Sequence, residues 1–225
     1  MEIVFLDKKT IGEVTNFNLL HKLGNLEVYD QTLPGEVIKR ARGKEVIITN
    51  KVVIDRAVMD ALPDLKLICV AATGTNNIDL DSAGEKGIKV RNVVSYSTES
   101  VAQSTFAMIL YLLNRTGYYD AYVKSGAYSR GDIFTHHGPP FWELSGKRMG
   151  IVGLGNIGRK VARIAESFGM EVVFYSTSGR NNNINYKRFD LHTLLSTSDV
   201  VSVHAPLTQD TQDLIGLREM RLMRP

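Results

Sequence analysis

The sequence is poor in cysteine and in long apolar runs, and each shortage excludes a class of protein. With one cysteine in 225 residues, no intramolecular disulfide can form. Cys69 lies in an apolar run, which favours a buried core thiol over a nucleophile. No apolar segment reaches 18 residues, and the first residues lack the basic-then-apolar order of a signal peptide. We therefore expect a cytoplasmic protein with no membrane contact.

The sequence also lacks a large net charge, and its histidines lack the spacing typical of metal ligands. The net charge is only +3, and the Lys and Arg residues are scattered, which argues against a nucleic-acid partner. The five histidines show no metal-ligand spacing, so no metal site is predicted. With 44% hydrophobic and 23% charged residues, the composition is that of a globular protein. The length allows one large domain or two small ones, and we expect two.

Short β-rich apolar runs alternate with helical stretches, which predicts an α/β fold of parallel βαβ units. The runs are EIVFL, LEVYD, EVIIT, KLICVAA and IKVRNV. The first domain, over residues 1–98, is therefore predicted to be a doubly wound parallel sheet of the flavodoxin-like type. The second domain, over residues 99–225, begins with a helix at Glu99 that is apolar on almost all sides, ends near Asn114 and is predicted to be buried. Residues 117–146 are predicted to connect this helix to the next strand, with something packing on their aromatic side chains.

A glycine turn follows the strand that begins near Met149. Gly153 fits the tight turn, Gly155 the close approach of a pyrophosphate, and Gly158 the contact between helix and strand. The helix that follows offers free N–H groups and positive potential at its N-terminus. Because strand, turn, helix and second strand occur in order, the pattern favours a Rossmann dinucleotide-binding domain over a purely structural turn.

The second strand of this domain is not followed by an acidic residue. At that position an Asp or Glu would bind the adenosine ribose. The residues there are Ser176, Thr177, Ser178, Gly179 and Arg180. Their hydroxyls and the Arg180 guanidinium suit a ribose 2′-phosphate, so NADP is slightly favoured over NAD. In the alternative interpretation, Arg180 is a solvated loop residue and the hydroxyls bind the ribose of NAD.

A third predicted strand of the second domain ends at His204. Its carboxyl end is expected to line the adenosine side of the cofactor, although His204 could instead only cap the strand by bonding to backbone. A complete doubly wound nucleotide domain has two mononucleotide halves, and only one is predicted here. We therefore expect an incomplete Rossmann domain, with the sequence ending in mid-domain at Pro225.

Four motifs in order resemble the D-isomer-specific 2-hydroxyacid dehydrogenases, particularly the glycerate dehydrogenase or hydroxypyruvate reductase branch. They are TGTNNID, YSTESVAQ, ELSGKRMGIVGLGNIGRKVA and VHAPLTQDTQDLIG. The resemblance extends from about residue 40 to the end; Gln103 stands where many relatives have Glu. It implies an oxidoreductase that transfers hydride between NAD(P)H and C2 of a small 2-keto or 2-hydroxy acid. It also implies a homodimer joined through the nucleotide-binding domains, with the Glu99–Asn114 helix and the aromatic stretch after it in contact.

The resemblance assigns roles to individual residues. The substrate side comprises Thr73, Gly74, Thr75, Tyr96 and Ser97. Together with the residues inferred above from the glycine turn, the ribose loop and the strand end, the cofactor side comprises Thr73, Gly153, Gly155, Asn156, Ile157, Gly158, Ser176, Thr177, Ser178, Arg180, His204, Ala205, Pro206 and Thr211. The catalytic Arg, Glu and His are expected beyond Pro225 and match no residue here. The alternatives are a non-catalytic dinucleotide-binding or sensing module and an inactive truncated product.

Overall fold

The computed structural model describes residues 1–13, 16–181 and 183–224, which belong to two compact units. The first unit is Met1–Tyr96 and the second is Ser97–Pro225. Pro225, where the predicted second domain ends, lies outside the described residues. Within these ranges no helix is long and apolar enough to cross a membrane.

The first unit is built on a parallel sheet with the strand order β2-β1-β3-β4-β5. Its strands are β1 (Glu2–Phe5), β2 (Asn25–Val28), β3 (Val46–Thr49), β4 (Leu67–Val70) and β5 (Lys89–Asn92). This is the flavodoxin-like doubly wound order, and it confirms the α/β class predicted from the alternating runs. Ile3, Ile47 and Ile68 on the central strands are almost fully buried, so the sheet forms the middle of the core.

Short helices join the strands of the first unit. They are α1 (Val37–Ala41), α2 (Arg56–Asp60) and α3 (Leu80–Glu85), and three 3-10 turns cover Lys8–Ile11, Phe17–Lys22 and Pro34–Glu36. Two of the helix starts are set by aspartate caps. Asp55 accepts a hydrogen bond from the Val58 N–H, and Asp79 accepts one from the Ser82 N–H, each at 2.9 Å. Both caps satisfy an N–H that the helix itself leaves unpaired.

The second unit contains a parallel sheet with the order β8-β7-β6-β9. Its strands are β6 (Arg148–Val152), β7 (Glu171–Tyr175), β8 (Lys187–Arg188) and β9 (Val200–Val203). This order matches the first four positions of the Rossmann order 3-2-1-4-5-6. The sequence prediction missed β8, because a two-residue Lys-Arg strand gives no apolar run. The predicted third strand is therefore the fourth, β9, and it pairs with the opposite side of β6.

Six helices lie among the described residues of the second unit. They are α4 (Thr98–Leu113), α5 (Thr116–Lys124), α6 (Ala127–Arg130), α7 (Asn156–Ser167), α8 (Leu191–Thr197) and α9 (Leu217–Met220). Helices α5 and α6 occupy the first half of the segment that the sequence predicted as a connection. Because this segment contains glycines and closely spaced tyrosines, its sequence shows no clear helical periodicity.

Helix α4 is buried on one face only, which corrects the prediction of burial on almost all sides. Ala102 and Phe106 are buried, and the Phe106 ring stacks on the Phe168 ring with centroids 5.4 Å apart. Met108, Tyr111 and Leu112 on other sides of the helix are exposed. The sequence pattern shows that α4 is hydrophobic on most sides, but the second unit packs against only one face of the helix.

Candidate dinucleotide-binding site

The glycine turn joins β6 to α7 at the carboxyl edge of the second sheet. Gly153 has φ +91°, in the left-handed region that favours glycine. A Cβ on Gly153 would lie 2.8 Å from the Ala205 backbone nitrogen and 2.9 Å from the His204 carbonyl carbon. The turn therefore needs glycine here for two reasons, the backbone conformation and the contact with the segment after β9.

Gly155 and Gly158 differ in what surrounds them. A Cβ on Gly158 would collide with the Gly153 carbonyl oxygen and lie 3.1 Å from the Ile151 side chain, so Gly158 permits close packing of α7 on β6. A Cβ on Gly155 would meet no atom within 4 Å. Packing therefore does not explain the glycine at position 155. The open space in front of it is where a pyrophosphate would approach the backbone, so the turn fits a dinucleotide.

Helix α7 begins at this turn without a side-chain cap. Gly155 is the N-cap residue, and the N–H groups of the first turn of a helix point towards the space in front of it. Arg159 folds back along the turn, donating from Nη1 to the Leu154 carbonyl at 3.1 Å and from Nη2 to Asn156 Oδ1 at 2.9 Å. The N–H groups and the guanidinium together make this end of the helix electropositive, as an anion requires.

The predicted ribose loop follows β7. Ser176 is only 5% exposed, and its hydroxyl accepts the Asn181 backbone N–H at 3.3 Å, so it braces the loop from inside. Thr177 is partly exposed, whereas Ser178 and Arg180 are exposed. The hydroxyls and the guanidinium available to a ligand on this loop are therefore those of residues 177–180.

Asn181 joins this loop to the glycine turn. Its Nδ2 donates a hydrogen bond to the Leu154 carbonyl oxygen at 2.7 Å. Leu154 precedes Gly155, so the bond connects the ribose loop to the residue beside the proposed pyrophosphate position. The sequence prediction missed Asn181 because its partner lies 27 residues earlier in the chain.

The predicted adenosine side lies at the end of β9. The His204 ring Nε2 is 2.8 Å from the Ser202 hydroxyl, and burial lowers the pKa of His204. The ring therefore bonds a side chain and not the backbone, while the His204 N–H pairs with the Val152 carbonyl at 2.8 Å. Ala205, Pro206 and Thr211 line a cavity of about 340 Å³. Thr211 also braces this loop, since its hydroxyl donates to the Pro206 carbonyl at 2.6 Å.

The loop that carries Thr73 and Gly74, two residues predicted for the substrate side, lies in the first unit after β4. Thr73 and Gly74 are exposed, and within the described chain neither backbone N–H donates an internal hydrogen bond. The loop is held from both sides. Asn92 donates to the Thr73 carbonyl at 2.6 Å, and Asn77 donates to the Val52 carbonyl at 2.9 Å. A fixed loop with unpaired amides suits an anion.

The remaining predicted substrate residues fall at the end of the first unit and the start of the second. Thr75 accepts the Ile78 N–H at 2.9 Å, Tyr96 is exposed, and Ser97 is the N-cap residue of α4. A cavity of about 690 Å³ in the first unit is lined by Asp7, Lys51 and neighbouring residues and by none of the predicted substrate residues. The predicted substrate residues and this cavity are therefore separate features of the first unit. Among the described residues no group of His, Cys, Asp or Glu could hold a metal ion.

Comparisons with known proteins identify the family of this chain. Residues 106–225 match the sequence model of the NAD-binding domain of D-isomer specific 2-hydroxyacid dehydrogenases. The chain is 32% identical to glycerate dehydrogenase from Methylorubrum extorquens, over 99% of this chain and 69% of that protein. It is 34% identical to hydroxypyruvate reductase from Blautia hydrogenotrophica, over 100% of this chain and 71% of that protein. The chain belongs to the D-isomer specific 2-hydroxyacid dehydrogenase family, an oxidoreductase family with an NAD(P)-binding Rossmann domain.

A solved structure gives the same fold. An acyclic imino acid reductase in complex with NADPH and D-Arg superposes with a TM-score of 0.87 at 27% identity. The match covers 99% of this chain and 71% of that chain. The family resemblance inferred from the four motifs and the Rossmann fold predicted from the glycine turn are thus confirmed.

Proposed function

We propose that this protein is a reductase of small 2-keto acids, of the hydroxypyruvate or glyoxylate type, that uses a nicotinamide dinucleotide. The observation that carries the proposal is the pair Gly155 and Gly158. The second glycine is required by packing, whereas the first leaves open space at the N-terminus of α7. A purely structural turn would not need a glycine at position 155.

Each unit carries its own set of proposed binding residues. The turn and the first N–H groups of α7 hold the pyrophosphate, and the bound cofactor supplies the hydride. The amides of Thr73 and Gly74 bind the substrate carboxylate, since they are exposed, unpaired within the described chain and held in place by Asn92. Tyr96 and Ser97 face the substrate, and Ala205, Pro206 and Thr211 face the adenosine. The protein thereby orients an anionic substrate and an anionic cofactor through backbone amides.

Binding and turnover should be measured separately. We expect NAD(P)H to bind and its absorbance to fall when hydroxypyruvate or glyoxylate is added. Gly155→Ala should raise the Kd for NAD(P)H at least about tenfold and reduce the absorbance change, whereas Gly84→Ala in α3, where an added Cβ also meets no atom within 4 Å, should leave dinucleotide binding intact. Binding without reduction of any keto acid would instead indicate a dinucleotide-sensing module. Absence of binding would refute both functions.

We propose a homodimer through the nucleotide-binding unit. Support comes from the exposed apolar side chains of α4 and of the aromatic segment after it. They are Met108, Tyr111, Leu112, Tyr128, Phe134, Phe141 and Trp142. Exposed apolar patches of this kind mark association surfaces.

The dimer can be tested with two leucines of equal exposure. Leu112 on α4 is 66% exposed and Leu217 on α9 is 67% exposed. Light scattering should give twice the chain mass for the unaltered protein and for Leu217→Glu, and the chain mass for Leu112→Glu. A Leu112→Glu protein that stays dimeric would place the interface elsewhere.

A further inference from the structure

The segment from the end of β7 to β8 carries positive charge without any compensating acid. Residues 176–188 contain Arg180, Lys187 and Arg188 and neither Asp nor Glu. The ribose loop forms the first part of this segment and β8 its end. The segment itself therefore brings positive charge and no acidic side chain to the region beside the adenosine ribose, while Glu166 of α7 accepts a hydrogen bond from its Tyr186 hydroxyl at 2.9 Å.

Arg188 reaches the ribose loop from β8. It pairs with Phe174 across the parallel β7–β8 register, and its Nη1 donates to the Gly179 carbonyl at 3.0 Å. Within the described ranges Arg188 forms no ion pair. A guanidinium has five N–H donors, and the bond to Gly179 uses only one of them. The others stay available on the exposed side of the loop.

We propose that Arg188 is a specificity-determining residue that binds the 2′-phosphate of NADP together with Arg180. This inference rests on the proposed dinucleotide function. A phosphomonoester carries nearly two negative charges at neutral pH, and Arg180 supplies one positive charge. Arg188 supplies the second and, through Gly179, fixes the loop that carries Ser178 and Arg180.

Lys187 provides a matched control on the same strand. Adjacent residues of a strand point to opposite faces, and the Lys187 ammonium lies 5.1 Å from the centroid of the Phe189 ring. Arg188→Gln and Lys187→Gln each remove one exposed positive charge from β8. Only the first removes a donor that contacts the ribose loop.

The test is calorimetric binding of NADP+, NAD+ and the fragment 2′,5′-ADP to the full 225-residue chain. Arg188→Gln should raise the Kd for NADP+ and for 2′,5′-ADP by about tenfold, since a hydrogen-bonded charge pair is lost. The Kd for NAD+ should stay within about twofold, and Lys187→Gln should leave all three values within the same range. Arg188→Lys, which keeps the charge and loses the planar fork, should give an intermediate Kd for NADP+.

Three outcomes would overturn the proposal. An equal rise for NAD+ and NADP+ would mean that Arg188 only positions the loop. No change for NADP+ while the unaltered chain binds dinucleotides would remove Arg188 from the site and leave the proposed function intact. A chain that binds neither dinucleotide would refute both together.

Discussion

The Asn181 side-chain amide donates a 2.7 Å hydrogen bond to the Leu154 carbonyl oxygen and so joins the two loops that meet the cofactor in the proposed site. Arg159 donates to the same oxygen from α7 at 3.1 Å. One carbonyl is therefore held by two side chains from different elements. This arrangement fixes the glycine turn relative to the ribose loop before any ligand binds, which lowers the ordering cost of binding.

Removing the Asn181 side chain should weaken binding of both dinucleotides. Asn181→Ala leaves the Leu154 carbonyl with a single donor, so we expect the free energy of unfolding to fall by about 1 kcal/mol. The Kd values for NAD+ and NADP+ should rise by the same factor, because the bond positions the turn and does not contact the 2′-phosphate. Denaturant unfolding and calorimetric binding measure the two effects.

Asn185→Ala is the control for this prediction. Its side chain has no hydrogen-bond partner among the described residues, so stability and both Kd values should be unchanged. An Asn181→Ala protein that bound NAD+ normally but lost NADP+ would show instead that Asn181 reads the 2′-phosphate.

Gly155→Ala should separate binding from stability. The added methyl group meets no protein atom within 4 Å, and the φ of −81° suits alanine, so the free energy of unfolding should stay within about 0.5 kcal/mol. The methyl group would occupy the space in front of the turn, so the Kd for dinucleotide should rise at least about tenfold. A variant that binds normally would remove the pyrophosphate from this position.

Gly158→Ala, in contrast, should lower the stability of the fold. Its methyl group would collide with the Gly153 carbonyl oxygen and press on Ile151, which forces α7 away from β6. Overpacking of this kind costs about 1–3 kcal/mol, so the thermal midpoint should fall clearly in a melting experiment. A midpoint equal to that of Gly155→Ala would contradict the assigned packing role.

Lys44 binds the carboxylates of Glu2 and Glu27 in the first sheet, and this arrangement predicts that the stability of the fold falls at acidic pH. The nearly buried ammonium lies 2.9 Å from Glu2 and 2.8 Å from Glu27, and these bonds lower the pKa of both carboxyls below 4.5. Their contribution to stability is therefore complete above pH 4.5 and is lost as the pH falls through the lowered pKa values. Lys44→Met should reduce the acid dependence of the melting midpoint, whereas the exposed Lys39→Met should keep it.

The features predictable from sequence were those encoded within one contiguous stretch. Gly153, Gly155 and Gly158 lie between a strand and an amphipathic helix, so their roles follow from spacing alone. Strand β8 has two polar residues and depends on its neighbour β7 for its existence, so no local pattern predicts it. The contacts of Asn181 and Arg188 likewise depend on chain segments brought together by folding. The exposure of Leu112 depends on what packs against α4, which hydrophobicity does not report.

Tyr186 connects the segment before β8 to α7 and should give a measurable alkaline transition. Burial, together with the 2.9 Å hydrogen bond to Glu166 and the charge of that carboxylate, raises the pKa of Tyr186 to about 12. The folded state thus favours the protonated phenol. Its contribution to stability is fully present below the usual tyrosine pKa of 10 and is lost as the pH rises towards 12. Ultraviolet titration should show a late tyrosinate step that disappears in Tyr186→Phe and persists in Tyr128→Phe. A late step that survives in Tyr186→Phe would assign it to another tyrosine.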